Sequence, residues 1–313
     1  MNEARASRTV RTTTVNISPK ADLDSLVTAV LDAVTPEQDL IVLPESCRGV
    51  GLEVAERCDG PTITALSRVA SQTHSYLLAG LYSQDKHGIP ATSAVLLDRR
   101  GELAGWYDKR YPYWSELAES PQPRPGHDTA VWNTDFGALG VAICFDINFP
   151  AVWSDLAQAG ADLVVWPSAY SGGSILGSYA QIHHYYVLSC TQTGASQLFD
   201  PTGRERPATG GSIGSSKQFS IDFSERVYHE NFNSEALERL LSEHPEEVAL
   251  DRHMSAEQWY VLRAKQTGLD IRSLAHDYGL EELQDYIRRS RTAIDQLRGE
   301  YPNETGVTRI SQQ

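Results

Sequence analysis

Gly140-Val-Ala-Ile-Cys144-Phe-Asp146-Ile-Asn-Phe-Pro150 is the stretch around which the chain is organised. Leu139 to Ile143 is apolar and reads as a buried strand that ends on one cysteine. Phe145, Asp146 and Asn148 turn the chain, and Pro150 opens a helix at a position where a missing N–H costs nothing. A thiol at such a strand-to-helix turn sits among outward-pointing backbone N–H groups, which supply positive potential and an oxyanion hole. Free cysteine is among the most buried residue types, so a cysteine closing a strand is ordinarily a packing residue. The rest of the chain argues for chemistry instead.

Working toward the N-terminus, Thr129 to Thr134 and Ala138 to Ile143 flank Asp135-Phe-Gly137, a hairpin turn. Tyr111 to His127 is a Pro-rich polar loop, and long irregular loops in compact domains are usually functional. Before it, Leu103 to Tyr107 reads as a strand that runs into Asp108-Lys109-Arg110. Thr92 to Leu97 and Tyr76 to Tyr82 are further strands, and Pro61 to Thr73 is a helix. Asp39 to Leu43 is a short buried strand that places Glu45 at its C-terminal end, after Pro44. Ala21 to Val34 carries a helical apolar stripe, and Thr9 to Ile17 alternates as a strand.

On the other side of the cysteine, residues 150 to 159 form a helix and Ala161 to Trp166 a buried strand. Ile175, Tyr179, Ile182 and Tyr186 fall at helical spacing, which predicts a helix over Ser174 to Tyr186. Strands follow at Val187 to Thr191 and Ser196 to Phe199, and Gln218 to Phe223 reads as the last one. From Ser234 onward only helical stripes are evident. The pattern predicts an α/β layer fold with mixed sheets over residues 1–233 and a helical extension over 234–313, serving as an oligomer contact or a lid.

Composition bounds the partners. The 313 residues carry a formal net charge of −14, which argues against nucleic acid or an anionic membrane, since both need a basic face. No apolar run approaches a membrane span. Met1 to Lys20 is polar with three arginines and only faint transit-peptide character, and it lacks an apolar signal core. The four cysteines, Cys47, Cys58, Cys144 and Cys190, have no CxxC or zinc-finger spacing, so free thiols in a reducing cytoplasm are expected. His183 and His184 are adjacent and cannot share a helix face, so they do not read as a paired metal site. Cys190 and Cys47 read as packing residues. Residues 271 to 289 faintly suggest a helix-turn-helix, but positions 234–313 hold 15 acids against 10 bases, which disfavours DNA.

Glu45, Lys109 and Cys144 each follow a strand, where sites form in α/β sheets. Singly each is unremarkable. Together they offer a base, a cation and a nucleophile, enough for acyl transfer through a thioester. The segments Leu40-Ile-Val-Leu-Pro-Glu45, Trp106-Tyr-Asp-Lys109-Arg-Tyr-Pro112 and Gly140-Val-Ala-Ile-Cys144-Phe-Asp146, with Phe149-Pro150, resemble the nitrilase, or carbon–nitrogen hydrolase, superfamily over residues 8 to 223. The resemblance implies a four-layer αββα sandwich. It also implies Glu45 as general base, Lys109 as oxyanion stabiliser and Cys144 as nucleophile, with no metal or organic cofactor. A second family glutamate falls on Glu116, with Glu119 as its rival. The N–H of Phe145 would share the oxyanion with Lys109, one such donor being worth about 3 kcal/mol of barrier. A thiol of ordinary pKa, about 8.5, is only slightly ionised at neutral pH; the Lys109 ammonium is expected to raise that fraction.

Cys-Phe-Asp with Phe-Pro resembles the amidase and carbamoylase branches, whereas true nitrilases usually show Cys-Trp-Glu. The expected activity is therefore hydrolysis of a small amide or N-carbamoyl compound with release of ammonia. The alternatives are a nitrilase proper and a catalytically silent binding protein on the same fold. Tyr113, Trp114, Ser168 and Tyr170 are the candidate pocket residues. Relatives of this kind commonly form homo-oligomers, which is the expected assembly.

Overall fold

Alternation along the strands sorts the side chains into layers. In the run Leu40 to Leu43, Leu40 and Val42 face one way and Ile41 and Leu43 the other, and all four are fully buried. The computed structural model describes residues 9–19, 21–210 and 216–300. In chain order its elements are β1 (Thr9–Val15), α1 (Leu23–Ala33), β2 (Leu40–Val42), α2 (Pro61–Thr73), β3 (Tyr76–Gln84), β4 (Pro90–Leu97), β5 (Leu103–Asp108), β6 (Val131–Asn133), β7 (Ala138–Val141), α3 (Pro150–Gln158), β8 (Leu163–Ser168) and α4 (Ser174–His183). Then come β9 (Tyr186–Thr191), β10 (Leu198–Phe199), β11 (Glu205–Arg206), β12 (Ser216–Asp222), β13 (Arg226–His229), α5 (Ser234–Glu243), β14 (Val248–Met254), β15 (Trp259–Ala264), α6 (Ile271–Asp277) and α7 (Leu283–Glu300). Short 3-10 turns lie at Glu116–Ala118 and Cys144–Asn148.

Two six-stranded sheets result, ordered β12-β1-β2-β3-β4-β5 and β11-β10-β9-β8-β7-β6. Each has three parallel strands at its centre, β1-β2-β3 and β7-β8-β9, continued on either side by antiparallel neighbours. The inner faces meet in one core: Leu40, Val42, Leu78 and Leu96 pack with Leu139, Val141, Leu163 and Val165. The outer face of the first sheet is covered by α1 and α2 through Leu26, Val30, Leu66 and Val69. The outer face of the second is covered by α3 and α4 through Trp153, Leu156, Leu176 and Tyr179. The order helix, sheet, sheet, helix is the expected αββα sandwich with mixed sheets.

Three readings of the sequence change. Helix α4 stops at His183 rather than Tyr186, because His184 adopts the left-handed conformation (φ 56°) and caps the helix on the Ala180 carbonyl; Tyr186 belongs to β9. Strand β12 is not the last. β14 and β15 follow it and pair with β13 in a three-stranded antiparallel sheet, so the segment after 234 is not helical throughout. Polar and charged residues on β14 (Asp251, Arg252, His253) hide its alternation; its partner β15 supplies the buried Tyr260, Val261 and Leu262. Helices α5 and α6 close a small core of their own on this sheet. The unit is tied to the sandwich by Arg252 on the fully buried Asp200 (2.9 Å), Arg226 on Asp162 (3.1 Å) and Gln284 on the His183 carbonyl (3.3 Å). The arginines of the suggested helix-turn-helix face carboxylates: Arg288 on Asp285 and Arg289 on Glu281.

Among the described residues no helix is long and apolar enough to cross a membrane. Residues 1–8 and 20, on which the transit-peptide reading partly falls, lie outside the described residues.

Candidate active site

Glu45 and Lys109 leave the first sheet, and Cys144 leaves the second, at the same end of the sandwich. All three line one cavity of about 530 Å³. Glu45 is placed by a close backbone approach. A methyl group on Gly80 of β3 would lie 2.6 Å from the Glu45 Cα and from the Pro44 carbonyl oxygen, so only glycine fits there. The Glu45 carbonyl accepts from Gln192 Nε2 at 2.8 Å. Its carboxylate accepts from Lys109 Nζ (2.7 Å, Oε1) and from the N–H of Ala169 (3.2 Å, Oε2).

Lys109 is a fully buried ammonium, 1% exposed. Its second carboxylate is Glu116, whose Oε2 lies 2.8 Å from Nζ and also accepts from the N–H of Tyr113. Glu116 is held in turn by Thr92 Oγ1 at 2.6 Å. Burial alone would favour neutral lysine, but the charges of Glu45 and Glu116 outweigh it and keep the group protonated, well above its ordinary range. Glu119, the rival second glutamate, does not serve Lys109; its Oε2 accepts from the Tyr82 hydroxyl at 2.5 Å.

Cys144 opens the 3-10 turn with φ 42°, a left-handed conformation that costs a non-glycine residue about 1–2 kcal/mol. The turn is held from below. Asp146 is fully buried and accepts from the N–H of Ile143 (2.9 Å), the N–H of Tyr111 (2.9 Å) and the Tyr107 hydroxyl (2.7 Å). It therefore couples the cysteine turn to the two residues that bracket Lys109. The Cys144 carbonyl accepts from Trp166 Nε1 at 3.1 Å. Burial raises the Asp146 carboxyl to about 6, although these hydrogen bonds oppose the shift.

The thiol itself departs from the expectation drawn from sequence. Burial first, and the Glu45 charge second, push Cys144 up to about 12; Lys109 and Ser168 act in the opposite sense but do not prevail. The resting group is a neutral thiol beside a carboxylate, not a thiolate beside an ammonium.

The predicted pocket residues separate. Tyr113 and Tyr170 line the cavity with Phe145, and Tyr113 packs edge-on against Phe145 at 5.3 Å between ring centres. Ser168 is fully buried, behind the thiol and under the N–H of Tyr170. Trp114 is 78% exposed and is not among the cavity-lining residues. Of the other candidates, Cys47 and Cys190 are buried, and Cys190 donates to the Val42 carbonyl. Sequence reasoning missed Gln192, Asn148 and the N–H of Ala169. Gln192 had a readable signal, since it directly follows β9 at the same strand end as the other groups. Among the described residues no group of three or more His, Cys, Asp or Glu is arranged to hold a metal ion.

Comparison with known proteins agrees with this architecture. A family model described as carbon-nitrogen hydrolase matches residues 6–209. The omega-amidase NIT2 of Danio rerio is 29% identical over 164 residues, 49% of this chain and 59% of that protein. The chain spans about half the length of the curated relatives it matches. Among solved structures, Nit3 of Saccharomyces cerevisiae, a member of branch 10 of the nitrilase superfamily, superposes with a TM-score of 0.60 at 20% identity, covering 78% of this chain and 97% of that one. A glutamine mutant of the amidase from Nesterenkonia sp. AN1, with the acetamide moiety of fluoroacetamide covalently added at its active-site cysteine, superposes at 0.58 with 19% identity, covering 71% of this chain and 93% of that one.

Proposed function

Because the chain belongs to the carbon-nitrogen hydrolase family, we propose that it cleaves the C–N bond of a small non-peptide amide or N-carbamoyl compound, releasing ammonia through a thioester on Cys144. The observation that carries this reading is the convergence of Glu45, Lys109 and Cys144 on one cavity, with Lys109 clamped between two carboxylates at 2.7 and 2.8 Å.

In this reading Glu45 takes the thiol proton as Sγ bonds to the substrate carbonyl carbon, so that ionisation and attack are one event. The developing oxyanion is held by Lys109 and the N–H of Phe145. Glu45 returns the proton to the nitrogen, the C–N bond breaks and ammonia leaves. Glu45 then draws a proton from water, whose oxygen attacks the thioester; the carboxylic acid departs and the thiol is restored. Glu116 fixes the ammonium and lets Lys109 keep its charge when Glu45 is protonated. The covalent adduct on the cysteine of the Nesterenkonia amidase supports a nucleophilic cysteine, and the amidase names of that protein and of the Danio relative support an amide as substrate.

The test is a panel of amides, N-carbamoyl compounds and nitriles, followed by ammonia release. Cys144→Ala should abolish turnover while the circular dichroism spectrum stays unchanged, and a substrate amide should leave an acyl mass on the intact protein. Full activity in the alanine variant, or a preference for nitriles over every amide, would overturn the reading.

A further inference from the structure

Four charged side chains line the cavity among the described residues: Glu45, Lys109, Glu116 and Glu119. Lys109 already has Glu45 and Glu116 within hydrogen-bond distance. Glu119 is the third carboxylate, and it is oriented by a different partner. Tyr82, 2% exposed on β3, donates its hydroxyl to Oε2. Burial, and then the hydrogen bond and charge of Glu119, push that hydroxyl far above its ordinary range, so Tyr82 remains a donor and Glu119 its acceptor. Tyr82 engages one of the two carboxylate oxygens of this cavity-lining residue.

Part of the lining of the same cavity is apolar. Val50, Tyr113 and Tyr170 line the cavity and are 54%, 50% and 43% exposed, with Phe145 behind Tyr113. Such a wall suits a methylene chain or a ring and adds aromatic faces that favour a cation. The whole chain contributes the same sign at longer range, with its net charge of −14.

On the amide-hydrolase reading given above, we propose that Glu119 is a specificity-determining residue, selecting amides whose acyl chain is cationic or neutral at its far end and rejecting those that end in a carboxylate. A substrate carboxylate about 6 Å from Glu119 in a half-wetted cavity meets a repulsion on the order of tenfold in kcat/KM, and an ammonium gains by a comparable factor.

Three five-carbon amides test this, alike in length and differing in charge: pentanamide, 5-aminopentanamide and glutaramate, the monoamide of glutarate. Ammonia release is followed at low and at high salt. In the wild-type protein kcat/KM should rank 5-aminopentanamide at or above pentanamide, and glutaramate about tenfold below it, with the gap narrowing as salt rises. Glu119→Gln should raise the glutaramate-to-pentanamide ratio about tenfold. Glutaramate matching or exceeding pentanamide in the wild type would refute the role of Glu119, and so would a ratio that the Gln variant leaves in place. Where that variant does not fold, a wild-type ranking that puts glutaramate at or above pentanamide still refutes that role. Ammonia from none of the three, while another amide or an N-carbamoyl compound of the panel is hydrolysed, would refute this inference alone, as would ammonia from all three in reversed order; ammonia from no amide or N-carbamoyl compound would refute the amide-hydrolase reading, and this inference with it.

Discussion

Replacing Glu45 with Gln should move two properties of Cys144 in opposite directions. The thiol is held at about 12, with the Glu45 charge and its hydrogen bond among the causes. At neutral pH that leaves the thiol overwhelmingly protonated. A unit negative charge at hydrogen-bond reach, at an effective dielectric near 20, is worth about 4 kcal/mol, or about three pKa units. Lys109 relaxes toward Glu116 once its first partner is neutral, which offsets part of this, so Glu45→Gln should lower the thiol by about one to three units. Alkylation of Cys144 by iodoacetamide near neutral pH should therefore accelerate about 10- to 1000-fold. Amide turnover should fall by about 10²- to 10⁴-fold, because the proton acceptor and donor is gone. Cys58 is exposed and would confuse a bulk assay. The comparison is made in a Cys58→Ser background, with site-resolved mass spectrometry from about pH 6.5 to 9, the range in which thiols ordinarily ionise. If alkylation and turnover fall together, Glu45 generates a resting thiolate and the neutral-thiol account is wrong.

Four further substitutions probe the supports. Lys109→Met leaves two buried carboxylates facing each other without their cation, which should cost about 3–5 kcal/mol in urea unfolding. Adding Glu116→Gln should recover part of that stability and none of the activity, and recovery of both would remove Lys109 from the chemistry. Gly80→Ala forces a methyl group into the backbone of Pro44 and Glu45, with an expected loss of about 1–3 kcal/mol in stability and about 100-fold in kcat/KM; turnover within twofold of wild type would show that the position of Glu45 is not critical. Asp146 predicts a pH effect of definite sign. Its folded pKa of about 6 lies above its ordinary 3.8, so its contribution is fully present below pH 3.8 and is lost as pH rises through 6. Between about pH 4.5 and 7 the wild type should lose about 2 kcal/mol that Asp146→Asn does not lose. Parallel stability curves for the two proteins would contradict the buried-carboxylate assignment.

The sequence made legible what depends on order along the chain. Strand periodicity and the strand-end positions of Glu45, Lys109 and Cys144 place those groups at one end of a sandwich, because a sheet's carboxyl edge is where such residues collect. It hid what depends on neighbours distant in sequence. Tyr186 continues the helical spacing of Tyr179 and Ile182, and only the left-handed turn at His184 shows that it belongs to β9. β14 alternates too weakly, and its charges, including Arg252 on Asp200, find their partners only in the fold. The thiol pKa is the clearest case. Lys109 was visible as a nearby cation, but burial and the charge of Glu45, the two larger effects, are properties of the assembled cavity. That reversal bears on mechanism. A thiolate ready at rest needs no base, and a carboxylate beside it would only repel it. A thiol pushed up to about 12 cannot attack until its proton has somewhere to go, and on the proposed mechanism Glu45, which shares the cavity with the thiol and accepts from Lys109, is the acceptor. On that proposal, the burial that suppresses the free thiolate is what makes a base necessary, and Cys144 would ionise only when a carbonyl carbon stands ready to receive the sulfur's electron pair.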